Sequence, residues 1–153
     1  MQLDLVDEFR IDEVRRAQIR KLLSISFSEA QFVRSRTYAK QIPQRRLLCF
    51  EGDSLLAHMG LEHRMVGTQS GPASIFGVID FCVEPAHRGR GIATDVLERL
   101  SSLGRESGIE FLMLFAHDAR LYERSGFSRR ENPLRWCKIN EHETLGIGEE
   151  PLE

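Results

Sequence analysis

The 153-residue chain contains few cysteines: Cys49, Cys82 and Cys137 are widely separated along the sequence. An odd number of separated cysteines does not predict a disulfide framework, and without a Cys-x-x-Cys pair there is no zinc motif. We therefore expect three reduced cysteines that pack as small hydrophobic residues, and no bound metal.

The chain also lacks an apolar run of about 18 residues, so no membrane-spanning helix is predicted. Residues 1–10 mix acidic and apolar side chains, unlike a signal peptide. Neither sign of charge dominates, since 21 Lys and Arg residues oppose 23 Asp and Glu residues, whereas nucleic-acid-binding domains normally carry a basic excess. These absences predict a cytoplasmic protein that binds a small molecule and has no nucleic-acid or membrane partner.

The chain has an ordinary globular composition, with 41% hydrophobic and 29% charged residues, which argues against disorder. Its length suits one domain with its own hydrophobic core. We expect a single domain over residues 1–153, with the core at 47–139 and an acidic, solvated tail at 141–153. The sequence leaves a homodimer open.

Apolar periodicity and turn residues predict the secondary structure. The expected helices cover residues 12–26, 29–40, 90–107 and 118–124. The expected strands cover residues 3–9, 47–50, 55–66, 74–83, 111–116, 127–130 and 135–139. The first helix should bury Ile11, Val14, Gln18, Leu22 and Ile25, and the third Ile92, Val96, Leu100 and Leu103. The strand at 111–116 is almost entirely apolar, which predicts cover on both faces.

The strands at 74–83 and 111–116 are joined through a helix, so they should lie parallel with a right-handed crossover. The chain is therefore expected to form a mixed α/β sheet that contains one βαβ unit. The loop between its first strand and its helix is where we expect the chemistry.

Residues 83–94 form that loop and the start of the helix. The first turn of a helix leaves backbone N–H groups unpaired and carries partial positive charge. Gly89 and Gly91 would let an anion approach the main chain, and Arg88 and Arg90 add donors suited to phosphate. The local chemistry favours a diphosphate site and a simple tight turn about equally. A P-loop is excluded because its Gly-Lys-Ser/Thr ending is absent, and the third glycine of a dinucleotide loop is missing.

Two motifs resemble the signatures of the GNAT superfamily of N-acetyltransferases. Arg88-Gly89-Arg90-Gly91-Ile92-Ala93 matches its Arg/Gln-x-x-Gly-x-Gly/Ala pattern, and Tyr122 is followed by Gly126-Phe127 as in its second pattern. The likeness covers residues 47–139 and implies a centrally splayed, mixed sheet of about six or seven strands with about four helices. Residues 57–61 with Arg64, and 77–80, are similar to aminoglycoside 2′-N-acetyltransferases and nodulation-type N-acyltransferases.

The resemblance implies that acetyl-CoA is the cosubstrate and that its acetyl group passes by direct attack to a primary amine. It implies that coenzyme A is held by Phe81, Cys82, Val83, Arg88, Gly89, Arg90, Gly91, Ile92, Ala93 and Thr94. The Val83 N–H would face the thioester oxygen, and Tyr122 would protonate the departing thiolate. The family often has an Asn before the Tyr-bearing helix, where this chain has Ala116-His117-Asp118.

The base that deprotonates the amine has several candidates. Asp80 interrupts an apolar strand beside the expected thioester site, so it is either the base or a residue satisfied by neighbouring donors. His117 follows the apolar strand at 111–116, and His58 and His63 are alternatives. An ordered water could do the same work.

The acceptor is left open between a small molecule and a peptide. The basic residues Arg34, Arg36, Lys40, Arg45 and Arg46 form either a solvated face or a site for an acidic or phosphorylated acceptor or for the 3′-phosphate of coenzyme A. The acidic tail could instead attract a cationic acceptor such as a polyamine or an aminoglycoside. Ala116 and Gly77 could line a wider site for a longer acyl donor, and a non-catalytic module that binds coenzyme A is a further reading.

Overall fold

The computed structural model describes residues 1–27, 36–39, 41–140 and 143–152. They cluster into two compact units, residues 1–114 and residues 115–153. The expected helix at 29–40 falls largely outside the described residues, and residues 36–39 are not helical. The single domain stays a prediction.

The first unit is a five-stranded mixed sheet with two α-helices among its described residues. Its elements are β1 (Gln2–Asp7), α1 (Glu13–Ser26), β2 (Arg45–Glu51), β3 (Ser54–Thr68), β4 (Gly71–Val83), α2 (Ile92–Glu106) and β5 (Phe111–Met113), with short 3-10 turns at Glu8–Arg10 and Pro85–His87. The sheet order is β1-β2-β3-β4-β5. Neighbours pair antiparallel except β4 and β5, which are parallel, so the predicted βαβ unit is confirmed.

Helix α1 begins as predicted, because the Asp12 side chain accepts a hydrogen bond of 2.8 Å from the Arg15 N–H. Its predicted buried face is partly wrong: the side chains of Val14 and Ile25 are 71% and 45% exposed. The helix buries Leu22 as predicted, and with it Ile19 and Leu23, which the predicted face did not include. These three residues pack with Leu48, Phe50 and Cys82 of the sheet. Ile19, Leu22 and Leu23 have the i, i+3, i+4 spacing of one helix face.

Helix α2 buries the predicted residues Ile92, Val96, Leu100 and Leu103. It starts directly after Gly91, and the chain leaves it at Gly108, whose φ of +66° suits glycine. The helix therefore fixes the glycine-containing loop at the end of β4.

Strand β5 is shorter than predicted and is not covered on both faces. It ends at Met113 instead of residue 116, and the side chain of Phe111 is 57% exposed. β5 is the last strand in the sheet order, and its Leu112 lies close to Gly104 of α2. Its unbroken apolar sequence gave no sign of this exposure.

The second unit contains α3 (Arg120–Arg124) and an antiparallel hairpin of β6 (Asn132–Asn140) and β7 (Glu143–Leu152). The predicted strand at 127–130 is not formed. Residues 143–152 of the tail form a strand, in which residues 143–147 and Glu149 are exposed. Glu149 lies opposite Arg135 and bonds its Nε at 3.0 Å, so cross-strand pairing compensates part of the tail's acidity.

Two further expectations concern cysteines and membranes. All three cysteines are free, with Cys49 and Cys82 buried as predicted and Cys137 exposed against expectation on β6. Within the described ranges, no helix combines the length and the apolar character that a membrane crossing requires.

Candidate active site

Among the described residues, no strand pairs with the carboxyl-terminal half of β4 on the side of β5, and we call this side its open edge. Strand β5 pairs with β4 only from Ile75 to Gly77, through Phe111 to Met113, while β4 continues to Val83. The two strands therefore part after Gly77, as the splayed sheet predicts. An extended ligand could follow this edge and use its main-chain groups.

The N–H of Val83 points towards that open edge. Glu84 N donates to Leu56 O at 2.8 Å, so residues 84 and 56 form a hydrogen-bonded pair. Directions alternate along an antiparallel strand, and Val83, which lies opposite Ala57, therefore directs its N–H and C=O away from β3. A donor held on a sheet in this way is preorganised for an anion or a carbonyl oxygen.

The loop after Val83 presents main chain without side-chain cover at its glycines. Gly89 and Gly91 have φ values of +78° and +83°, and a Cβ built on either would meet no atom within 4 Å. Gly91 is the N-cap of α2, so the N–H groups of Ile92, Ala93 and Thr94 precede the first intrahelical bond, which Asp95 N makes to Gly91 O. These are the donors predicted to hold a pyrophosphate.

The charged side chains of the loop form hydrogen bonds and ion pairs within the protein. Arg88 Nε donates to Val83 O at 3.1 Å, which brings a guanidinium to the open edge. Arg90 forms an exposed ion pair of 3.2 Å with Glu51 of β2. The hydrogen bond from His87 lowers the pKa of Glu84, so this carboxylate is engaged within the loop.

Asp80 lies in a β-bulge and has a left-handed backbone conformation. His58 lies opposite Cys82 and Gly60 opposite Ile79, so β4 has one residue more than β3 in this interval. Asp80 has φ +50°, the left-handed region that Asp and Asn tolerate best among residues other than glycine. The Oδ2 atom of its carboxylate accepts a bond of 2.8 Å from the N–H of Ala39. The structure thus gives Asp80 a neighbouring donor, one of the two predicted readings.

His58 is a structural residue at this bulge. It is fully buried; its Nδ1 lies 2.8 Å from Asp80 O and its Nε2 lies 2.7 Å from Arg46 Nη1. Because arginine can only donate and a carbonyl can only accept, the imidazole is neutral with its proton on Nδ1. Burial and the Arg46 charge lower the pKa of His58 to about 3. With both ring nitrogens engaged, His58 does not fit the role of base.

Arg46 is the largest departure from the predicted basic face, since its side chain is completely buried. Besides His58 it bonds Glu8 Oε2 at 2.5 Å, Thr37 O at 2.6 Å and Thr37 Oγ1 at 3.2 Å. Arg45 forms an exposed pair with Asp7, while Arg34 and Lys40 lie outside the described residues. A buried arginine at an alternating strand position could have been suspected from its apolar neighbours, but its partners are distant in sequence.

The main-chain N–H and C=O of Cys82 point in the opposite direction from those of Val83. It forms a hydrogen-bonded pair with His58, so its main chain faces β3, not the open edge. Its thiol lies in the core, where burial raises its pKa to about 12, and it is not a nucleophile at neutral pH. Phe81 lies in the bulge, between Asp80 and Cys82.

The second unit carries Tyr122 and His117. Tyr122 lies on α3 with its ring edge-on to Phe127 at 6.0 Å, and burial raises the pKa of its phenol. His117 is exposed and lies four residues beyond the end of β5, so it is not at a strand end as predicted. His63, in β3, stacks edge-on with Phe76 at 5.9 Å. In the described parts of the chain no group of three His, Cys, Asp or Glu residues could hold a metal.

Solved structures that are similar to this chain include acetyltransferases of low sequence identity. A GCN5-related N-acetyltransferase from Anabaena variabilis has TM-score 0.67 and 14% identity over 80% of this chain, which spans 31% of that protein. A predicted acetyltransferase from Clostridium acetobutylicum, solved with acetyl-CoA, has TM-score 0.62 and 17% identity over 91% and 96% of the two chains. An aminoglycoside acetyltransferase from an uncultured soil sample has TM-score 0.60 and 21% identity over 91% and 99%.

No curated protein matches the sequence. The family model described as the acetyltransferase (GNAT) domain, in contrast, matches residues 10–130, which include the β4 edge, the glycine-containing loop and Tyr122. The chain belongs to the GNAT acetyltransferase family.

Proposed function

We propose that this protein is a cytoplasmic N-acetyltransferase that transfers the acetyl group of acetyl-CoA to a primary amine of a small molecule or peptide. The observation that carries the proposal is the open β4 edge beyond Gly77, which continues directly into the glycine-containing start of α2. A thioester with a diphosphate needs both features: an edge for its extended arm and main-chain donors for its phosphates. Membership of the family supports acyl transfer in general.

Acetyl-CoA would supply an activated acetyl group, and the chain's own residues would do the rest. The N–H groups of residues 88–94 would bind the pyrophosphate, and the Val83 N–H would stabilise negative charge on the carbonyl oxygen. As the amine forms its bond to the acetyl carbon, the carbon–sulfur bond breaks and the amine loses a proton. Asp80, or a water beside it, would take that proton. Tyr122 would give a proton to the leaving sulfur, and its raised pKa keeps the phenol protonated at neutral pH.

The test is a panel of primary amines with acetyl-CoA, followed by release of free thiol and mass spectrometry of the acetylated product. Growth of both signals with one amine supports the proposal. Calorimetry that finds no binding of coenzyme A or acetyl-CoA would refute it, together with the alternatives that depend on the same loop.

Two alternatives use the same β4 edge. A longer acyl donor would exploit the missing side chain at Gly77, and mass spectrometry of ligand co-purified with the protein would identify its chain length. A non-catalytic module would bind coenzyme A tightly, release no thiol with any amine and be indifferent to Tyr122→Phe.

A further inference from the structure

Residues 36–39 reach the carboxylate of Asp80 without belonging to a helix or a strand. The N–H of Ala39 donates to Asp80 Oδ2 over 2.8 Å. A segment without regular secondary structure has no hydrogen-bond ladder of its own, so its position depends on the bonds that it makes to the rest of the protein. The donor to Asp80 is therefore placed by whatever else holds this segment.

The buried Arg46 side chain holds the segment at Thr37. Its Nη1 donates to Thr37 O over 2.6 Å, and its Nη2 donates to Thr37 Oγ1 over 3.2 Å. Thr37 is only 7% exposed and Arg46 is completely buried, so water does not compete for these bonds. Thr37 precedes Ala39 by two residues, or about 7 Å of chain. The guanidinium thus fixes the chain close to the N–H that reaches Asp80.

The same guanidinium also holds the main chain of Asp80. Arg46 Nη1 lies 2.7 Å from His58 Nε2, and His58 Nδ1 donates to Asp80 O over 2.8 Å. Asp80 is therefore connected to Arg46 by two routes, through His58 from its carbonyl and through Ala39 and Thr37 from its carboxylate. These contacts form a closed ring. Because the ring holds both ends of one short side chain, it fixes the direction of the carboxylate.

The ring is compatible with a carboxylate that acts as a base. A carboxylate has about four acceptor positions on its two oxygens, and the bond from Ala39 takes one of them. Proton transfer requires the acceptor atom within about 2.6–3.2 Å of the donor. A misplacement of about 1 Å can cost on the order of a hundredfold in rate. The contacts that fix the direction of Asp80 should therefore affect turnover.

We propose that Thr37 is a positioning residue for Asp80. Its hydroxyl and its carbonyl attach residues 37–39 to Arg46, and this attachment keeps the Ala39 N–H where it orients the carboxylate. The inference rests on the proposed function, in which Asp80 takes the proton of the amine. Thr37 acts only through Ala39, so it affects the rate of proton transfer and not the binding of acetyl-CoA.

Thr37→Val and Thr37→Ser separate the hydroxyl from the shape of the side chain. Valine has the shape of threonine and cannot accept from Arg46, whereas serine keeps the hydroxyl and lacks the methyl group. With the primary amine that the panel identifies, Thr37→Val should lower kcat about tenfold and leave the KM for acetyl-CoA within about twofold. Thr37→Ser should keep kcat within about twofold of the wild type. Leu103→Ala, near the carboxyl end of α2, is the control for lost core packing and should leave kcat unchanged.

A double variant distinguishes positioning from general damage to the fold. Asp80→Asn leaves no carboxylate to position, so adding Thr37→Val should lower kcat by less than about twofold further. Independent effects would multiply instead, to about tenfold below Asp80→Asn alone. Such multiplication would overturn the assignment. So would a wild-type kcat in Thr37→Val, or an equal loss in Thr37→Val and Thr37→Ser.

Amide hydrogen exchange, followed by NMR, tests the same connection without any substrate. The Ala39 N–H should exchange about tenfold faster in Thr37→Val than in the wild type or in Thr37→Ser. Asp80→Ala has no side-chain acceptor and gives the rate for complete loss of the bond. Thr37→Ala, with no apolar group against the guanidinium, replaces Thr37→Val in every comparison if the valine variant does not fold.

This measurement also separates the inference from the proposed function. If coenzyme A binds and no amine is acetylated, the proposed function fails, and exchange at Ala39 decides whether Thr37 controls the contact with Asp80. Faster exchange in Thr37→Val alone would support that control. Unchanged exchange would overturn it.

Discussion

The Nδ1–H of His58 donates to the main-chain carbonyl of Asp80 over 2.8 Å, across the bulge between β3 and β4. The bond ties the strained residue of β4 to a buried chain of partners that continues through Arg46 to Glu8. Since Asp80 has φ +50°, this chain holds a conformation that an isolated strand would not adopt. It therefore fixes where the Asp80 carboxylate lies relative to the open edge.

Asp80→Asn should separate the proton-transfer role of this residue from its backbone role. Asparagine tolerates the left-handed region and its amide oxygen can still accept from Ala39, so thermal stability should stay close to wild type. Turnover should fall on the order of a hundredfold, because the amide cannot take the amine's proton. Steady-state kinetics at saturating acetyl-CoA measure this.

Asp80→Ala is the companion variant. Its turnover should fall by the same factor, and its stability should fall by about 1 kcal/mol, because a positive φ is less favourable for alanine than for asparagine. Full activity of Asp80→Asn would exclude Asp80 as the base and leave the water-mediated route.

The stability of the fold should fall on acidification through the titration of His58. The buried imidazole stays neutral down to a pKa of about 3, whereas in the unfolded chain it is protonated below about 6.5. Between these values the unfolded state binds one proton more, so stability rises with pH by about 1.4 kcal/mol per pH unit from this group alone. The contribution is complete above pH 6.5 and lost below pH 3. Urea midpoints at a series of pH values measure the slope.

His58→Asn should reduce that slope by the contribution of one proton, and His63→Asn is the control because His63 is exposed on β3. The asparagine variant will be less stable at neutral pH, since Arg46 loses an acceptor. The slope, not the stability itself, is decisive. An unchanged slope would mean that His58 is charged in the folded state.

The neighbouring residues Arg45 and Arg46 of β2 should differ greatly in their contribution to the free energy of unfolding. Arg46→Met leaves the buried Glu8 and His58 contacts incomplete and should cost about 3–5 kcal/mol of unfolding free energy. Arg45→Met removes only an exposed pair with Asp7 and should cost about 1 kcal/mol or less. Urea unfolding of the two variants under one condition gives the comparison. Similar losses would show that the buried cluster contributes no more than a surface pair.

The contrast between these arginines also shows what the sequence could and could not predict. Local patterns suffice where the determinant is local: the apolar face of α2, the cap at Asp12 and the glycines before Ile92 were all predicted and are confirmed. Burial of Arg46 depends on partners in Glu8 and Thr37 that no pattern around it reveals. The exposure of Phe111 on β5 likewise depends on tertiary packing, which an apolar run does not reveal.

The candidate site divides in the same way. The loop is visible as a run of glycines and arginines, so its place after β4 was predicted, and Tyr122 follows from a family signature. The bulge at Asp80 is a one-residue difference between two strands, which exists only once they pair. Sequence alone therefore predicts the residues that would bind the acetyl donor, and it does not predict those that would bind the acceptor amine.

Tyr122→Phe should lower kcat by about a hundredfold or more with little change in acetyl-CoA affinity. Phenylalanine retains the edge-on contact with Phe127, so the packing of α3 should be preserved. Phe127→Leu disturbs that contact and keeps the hydroxyl, which makes it the matched control for packing. If Phe127→Leu lowers turnover as much as Tyr122→Phe, the tyrosine acts through packing and not as an acid.

Gly91 allows the charge in the loop to be tested apart from its conformation. The residue has φ +83° and no atom near its Cβ position, and both Asn and Asp accept this backbone region. Gly91→Asn and Gly91→Asp therefore cause nearly the same strain and differ in one negative charge. At the first turn of α2 that charge would compete with a pyrophosphate for the N–H groups of Ile92, Ala93 and Thr94. Calorimetry with acetyl-CoA should find Gly91→Asp at least about tenfold weaker than Gly91→Asn, and equal affinities would exclude the helix start as the phosphate site.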